Sequence, residues 1–136
     1  MIIVFIDDND IRHDIVEEIL GGSHTILHCY DYGDAIIAFK GCQTKIGLAM
    51  FDHDITDYFV EEGTHKQVER TGSDIASYIL YNLDESHLPA RVIAHSSNYS
   101  GALNIVSKFA SAGIHAIYEC FSREMIMALA KSLEPQ

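Results

Sequence analysis

Basic residues are scarce in this chain. Nine lysines and arginines, scattered singly, stand against twenty aspartates and glutamates, for a formal net charge of −11. That balance argues against duplex DNA or RNA as a partner, because clustered basic side chains supply the affinity for duplexes. Long apolar runs are missing too. A membrane span needs about 18 uninterrupted apolar residues, and the opening "MIIVFI" is stopped at once by Asp7 and Asp8. The opening has neither the basic start nor the small-residue cleavage site of a signal peptide, so a cytoplasmic location and no membrane partner are expected. Cysteines number three, Cys29, Cys42 and Cys120. Their odd count and spacing suggest neither disulfides nor a thiolate metal site, and they are expected to be reduced and mostly buried.

What is present alternates. At 136 residues the chain has the size of a single domain with one core. Continuous apolar runs, "IIVFI", "HTILHCY", "IGLAMF", "RVIAH" and "IHAIYE", are separated by segments of helical period, the pattern of a parallel sheet covered on both faces. Ile11, Ile15 and Ile19 recur every four residues in the first helix, with Asp10 placed to cap it and Gly21-Gly22 to end it. A short helix is expected near Asp34 to Lys40. A third carries Ile75, Ala76, Ile79, Leu80 and Leu83 on one face, with Ser73 as its cap. A fourth carries Ala102, Ile105, Val106, Phe109 and Ala110 and ends at Gly113. Ser122 caps a last helix containing Met125, Ile126, Leu129 and Leu133. Five such units predict a doubly wound, flavodoxin-like α/β sheet of order 2-1-3-4-5, with ligands at the carboxyl ends of the strands beside the switch between strands 1 and 3.

The residues at those ends are polar. Strand 1 ends in Asp7-Asp8, strand 3 in Asp52-His53-Asp54, strand 4 in His95-Ser96-Ser97-Asn98 and strand 5 in Glu119. One Asp after a strand commonly caps a helix or begins a turn, and Asp8 is open to both readings, cap or ligand. Coincidence at three strand ends points instead to a site.

Asp7-Asp8, Asp52 and Ser96 in this order resemble the receiver domain of two-component response regulators. That resemblance implies magnesium on the acidic residues and a phosphoryl acceptor at Asp52. It also asks for a lysine at the end of strand 5, where this chain has Glu119. The motifs "IDD", "FDHD", "TGSD" and "IAHSSNYSGALNI" resemble more closely a receiver-like family described as cyclic-phosphate processing. The resemblance implies a cyclic phosphate, in a nucleotide or at an RNA end, as ligand, with hydrolysis as the expected reaction. Two rival readings remain, a degenerate receiver acting through a protein partner and a noncatalytic nucleotide-binding module.

Opening a cyclic phosphodiester needs a nucleophilic water, a proton for the leaving oxygen and stabilisation of the nonbridging oxygens. His53 and His95 suit the proton transfers. Asp7, Asp8 and Asp52 suit Mg²⁺, a hard ion that favours carboxylate oxygens. Asp54 or Asp74 would orient a histidine through its second nitrogen, and Ser96, Asn98 and the backbone at Gly101 would cradle phosphate. A transition metal on Asp52, His53, Asp54 and His95 is the lesser alternative. The segment "ITDYFVEEGTHKQVER" is long for a βα connection. It is expected as a lid-like insertion around residues 55–70 of one receiver-like domain spanning 1–136, its Thr64-His65-Lys66 and Arg70 able to cover an anion. The alternative is a solvated loop or partner surface.

Overall fold

The structure, a computed structural model, describes residues 1–134; the last two residues of the expected 1–136 span lie outside it. Strands β1 (Ile2–Ile6), β2 (Thr25–Cys29) and β3 (Ile46–Phe51) are followed by a two-stranded hairpin, β4 (Asp57–Val60) and β5 (Gln67–Arg70), and then by β6 (Arg91–Ala94) and β7 (His115–Tyr118). Helices α1 (Asp10–Leu20), α2 (Tyr32–Gly41), α3 (Gly72–Asn82), α4 (Tyr99–Ser111) and α5 (Arg123–Ser132) connect them. The main sheet has order β2-β1-β3-β6-β7 with every neighbouring pair parallel. Counted over its five strands, this is the flavodoxin-like order 2-1-3-4-5.

Strand alternation sorts the side chains into two layers. Val4, Ile6, Phe51 and Ala94 pack with Phe39, Ile75, Ile79, Ile105 and Phe109 of α2, α3 and α4. Ile3, Phe5, Met50 and Ile93 pack with Val16, Leu20, Ile126 and Leu129 of α1 and α5. Truncating a ring such as Phe5 or Phe51, both fully buried, would cost about 3–5 kcal/mol, a large part of the stability of a domain this size. The central strands are held from both faces, so their carboxyl ends form a rigid rim.

Several local expectations change. Asn9, not Asp10, caps α1, its side chain accepting from the Arg12 N–H at 3.1 Å. The buried side of α1 is His13, Val16 and Leu20, spaced three and four residues apart, while Ile11 lies off that face and is 69% exposed. Helix α3 begins after Thr71 rather than at a Ser73 cap; the Ser73 hydroxyl is buried within the first turn without a partner. Ser122 does cap α5, accepting from the Met125 N–H at 3.0 Å. Of the cysteines only Cys29 is buried, and burial pushes its thiol up to about 12; Cys42 is half-buried and Cys120 exposed.

Residues 57–70 form the hairpin instead of an open loop. Its base is fastened to α2: the Tyr32 N–H donates to Asp57 Oδ2 at 2.9 Å, Arg70 Nη2 donates to Asp57 Oδ1 at 3.2 Å, and the guanidinium lies 4.6 Å from the Tyr32 ring centroid. Arg70 is thereby occupied in anchoring. Thr64, His65 and Lys66 sit at the exposed distal turn, where Gly63 and His65 have positive φ of 82° and 56°.

Candidate functional site

Backbone pairing continues one residue beyond each strand and brings the polar residues to one edge. Asp7 N–H donates to Cys29 O at 3.0 Å, Asp52 N–H to Ile6 O at 2.9 Å, and His95 N–H to Phe51 O at 2.9 Å. Asp7, Asp8 and Asp52 each offer a carboxylate oxygen, all within 4.8 Å of one another. Asp7 and Asp52 are buried and Asp8 is exposed. Asp8 belongs to this group and does not cap α1; its Oδ2 accepts from the Thr56 hydroxyl at the base of the hairpin.

The two buried carboxylates differ. Burial alone would raise Asp7, but it is outweighed by the hydrogen bond and charge of His95, the Asn9 N–H and Arg12, and the net direction is downward. Asp52 is raised, first by burial and then by the Asp7 charge, against the weaker opposing effects of His95, Ser96 and Arg12. Two adjoining carboxylates pushed apart in this way are hard to ionise together without a nearby cation.

His95 lies beneath them. Its Nε2 is 2.9 Å from Asp7 Oδ2, its ring stacks on Phe5 at 4.9 Å, and its side chain has no exposed surface. Nδ1 is buried with no partner. The expectation that His95 exchanges protons with a ligand therefore does not fit its position: packing on Phe5 withdraws it below the rim, where it orients Asp7.

His53 has the opposite placement. It lies past the end of β3, 17% exposed, with Nδ1 2.7 Å from Asp54 Oδ1. Asn98 Nδ2 lies 3.3 Å from the same nitrogen and 3.3 Å from each Asp54 oxygen. Both Asn98 and an Nδ1–H tautomer donate to Asp54, which turns Nε2 of His53 toward other groups. The ring rests on Gly101, where a Cβ would come within 2.3 Å of His53 Cγ. Gly101 thus makes room for the imidazole and not for a phosphate, and its N–H is already taken by Asn98 Oδ1 at 2.9 Å. Ser96 is 1% exposed; its Oγ accepts from the Asn98 N–H at 3.0 Å, and its hydroxyl is one of the weaker influences that hold Asp52 down. Asn98 thereby links Ser96 to the His53–Asp54 pair.

Asp74 is not an orienting residue for either histidine. Its Oδ2 accepts from the Thr71 N–H at 2.8 Å and the Thr71 hydroxyl at 3.2 Å, closing the first turn of α3. Gly72 explains the neighbouring motif: its N–H donates to His53 O at 2.8 Å, and a Cβ there would lie 2.1 Å from Asp52 O. A close backbone crossing requires glycine.

Two residues escaped the sequence reading. Arg12 Nη1 reaches Asp7 Oδ2 at 3.2 Å and Asp52 Oδ2 at 3.9 Å; its one signal was a solitary Arg in the first turn after the acidic pair. His13, buried on α1, has Nε2 2.7 Å from Asp7 O and Nδ1 2.7 Å from His28 Nδ1. Burial lowers His13, and the facing His28 adds to that effect.

The donor set fits a hard cation, since the one cluster of potential ligands among the described residues is all carboxylate. The imidazoles expected for a zinc-type alternative are elsewhere engaged, His95 with Asp7 and His53 with Asp54. No helix among the described residues is long and apolar enough to cross a membrane.

Solved receiver domains share this architecture. The receiver domain of NtrX from Brucella abortus aligns over 96% of this chain and 95% of its own, with TM-score 0.62 and 19% identity. The chain spans 26% of the longer NtrX chain solved with ADP, at 18% identity and TM-score 0.63. The Mn²⁺-bound response regulator Rcp1 aligns over 94% of this chain and 90% of its own, with TM-score 0.64 and 15% identity. At these identities the likeness is one of fold. No curated protein matches the chain significantly. Residues 2–111 match the family described as the cyclic-phosphate processing receiver domain, which covers the acidic cluster, His53, His95 and all of α4, and the chain belongs to that family.

Proposed function

We propose that the protein binds a phosphate-bearing nucleotide or RNA end through a divalent cation, Mg²⁺ in the first instance, and hydrolyses its cyclic phosphate. One observation carries this reading: the carboxylates Asp7, Asp8 and Asp52 and the His53–Asp54 pair, which Asn98 holds, stand at the carboxyl ends of neighbouring strands on a single rim. A cation held by the carboxylates supplies charge neutralisation at the nonbridging oxygens. In the reaction, water adds across one P–O bond, the phosphorus taking hydroxide and the released ribose oxygen taking a proton. His53 is the proton-transfer residue because Asp54 engages Nδ1 and keeps the ring oriented, while Nε2 has no hydrogen-bond partner among the described residues. Asn98 Nδ2 provides a polar donor beside it. His95 positions Asp7.

Incubating the protein with a 2′,3′-cyclic mononucleotide, a 3′,5′-cyclic mononucleotide and an oligoribonucleotide ending in a 2′,3′-cyclic phosphate, with Mg²⁺, with Mn²⁺ and with chelator, tests this directly. Metal-dependent appearance of a phosphomonoester by phosphorus NMR is the expected result. Saturable binding without turnover would leave the noncatalytic nucleotide-binding module in its place. The fold also favours a second reading, a receiver acting through a protein partner. Glu119, exposed at the end of β7, weighs against it, since a cation is wanted there. Stable phosphorylation of Asp52 by acetyl phosphate would restore that reading.

A further inference from the structure

Arg12 is the basic side chain inside this acidic site. From α1 it crosses the rim to place Nη1 3.2 Å from Asp7 Oδ2 and 3.9 Å from Asp52 Oδ2, while its Cζ lies 5.2 Å from the Phe121 ring centroid. The side chain is 27% exposed. A guanidinium carries five donors in a planar fork, and among the described residues its side-chain hydrogen bond is the single one from Nη1 to Asp7. The remaining donors have no hydrogen-bond partner among the described residues. Meanwhile β7 ends in Glu119 and Arg70 is fastened to Asp57 and Tyr32, so neither element brings positive charge to the rim of a molecule whose net charge is −11.

The two carboxylates that Arg12 touches are also those that suit a divalent cation. Positive groups placed within about 4 Å of each other repel even at a partly screened protein surface, so guanidinium and metal do not share Asp7 Oδ2 and Asp52 Oδ2 comfortably. We propose that Arg12 is the phosphate-binding residue of this site, held by Asp7 and Asp52 until a divalent cation takes those carboxylates and turns its fork toward the ligand. The proposal rests on the reading that the site takes a phosphate with a cation, but it does not require hydrolysis. Metal and phosphate then promote each other's binding, because coupling between two ligands is reciprocal.

Mn²⁺ affinity, read from the electron paramagnetic resonance of the free ion, is measured with and without inorganic phosphate for wild type, Arg12→Gln and Arg12→Lys. Thermal melts verify that each variant folds. Wild type should bind Mn²⁺ several-fold more tightly when phosphate is present. Arg12→Gln should bind Mn²⁺ alone about tenfold more tightly than wild type, the equivalent of about 1.4 kcal/mol from removing a competing cation, and phosphate should no longer alter that affinity. Arg12→Lys keeps a charge without the planar fork and should lose most of the coupling; it decides the matter should Arg12→Gln fail to fold. Wild-type coupling in either variant, or weaker Mn²⁺ binding by Arg12→Gln in the absence of phosphate, overturns the proposal. Absence of turnover on cyclic phosphates with the coupling intact would remove hydrolysis alone.

Discussion

A Cβ added at Gly101 would lie 2.3 Å from Cγ of His53, so the imidazole that leaves β3 is seated on bare backbone at the start of α4. Cγ is the root of the ring and cannot swing away as a flexible chain end would. Gly101→Ala should therefore displace the imidazole and part it from Asp54 and Asn98, while α4 itself gains from a better helix former by up to about 1 kcal/mol. We expect at least a tenfold loss of cyclic-phosphate turnover and altered His53 ring resonances by NMR, with cooperative thermal unfolding retained. Unchanged ring resonances would show that His53 does not depend on this seat.

The two histidines should respond differently to removal. His53→Ala is expected to lower turnover by about 10²–10⁴-fold, the usual range for a general acid or base, with a smaller loss of thermal stability than His95→Ala because its ring, unlike that of His95, is partly in solvent. His95→Ala removes a buried ring stacked on Phe5 and takes one hydrogen-bond partner from Asp7, which keeps the Asn9 N–H and Arg12. A stability loss of about 2–4 kcal/mol is expected from the cavity and the lost hydrogen bond to a buried carboxylate, measured by denaturant unfolding. The assignments fail if His53→Ala turns over normally, or if His95→Ala keeps wild-type stability and loses only turnover.

Asp52 makes the metal-free protein sensitive to pH in a defined sense. Burial, then the Asp7 charge, raises its folded-state value above the ordinary 3.8, so between 3.8 and that raised value the folded state binds more protons than the unfolded one. Stability from this group therefore falls as pH rises through the window, and the cost is complete at neutral pH. Asp7, lowered in the folded state, works the other way: its contribution is present above 3.8 and is lost as pH falls through its depressed value. In chelator, Asp52→Asn should melt at a higher temperature than wild type near neutral pH, with the difference shrinking toward zero below about pH 3.8. A melting temperature below that of wild type at neutral pH would refute the sign.

The strand cores, their alternation with helices and the sheet order were legible in the sequence because they depend on local pattern. Runs such as "IGLAMF" have no polar face to leave in water, and helical periods between them permit little besides parallel pairing with cover on both sides. Finding polar residues at three strand ends then placed them at one rim, since parallel strands all present their carboxyl ends to the same edge.

What each residue touches there was decided by tertiary contacts that no local pattern carries. His53 and His95 read alike as strand-end imidazoles, yet one is seated at the surface on Gly101 and the other is withdrawn against Phe5 and Asp7. Asp74 and Asp54 were alternatives for one task until Thr71 took the first and His53 the second. Arg12 became part of the site by reaching from α1 to Asp7 and Asp52, and Ile11 lost its expected place in the core because the covered face of α1 runs through His13, Val16 and Leu20. Periodicity determines which side chains share a face of an element; the packing of one element on another determines which of them meet a partner, and a site is made of partners.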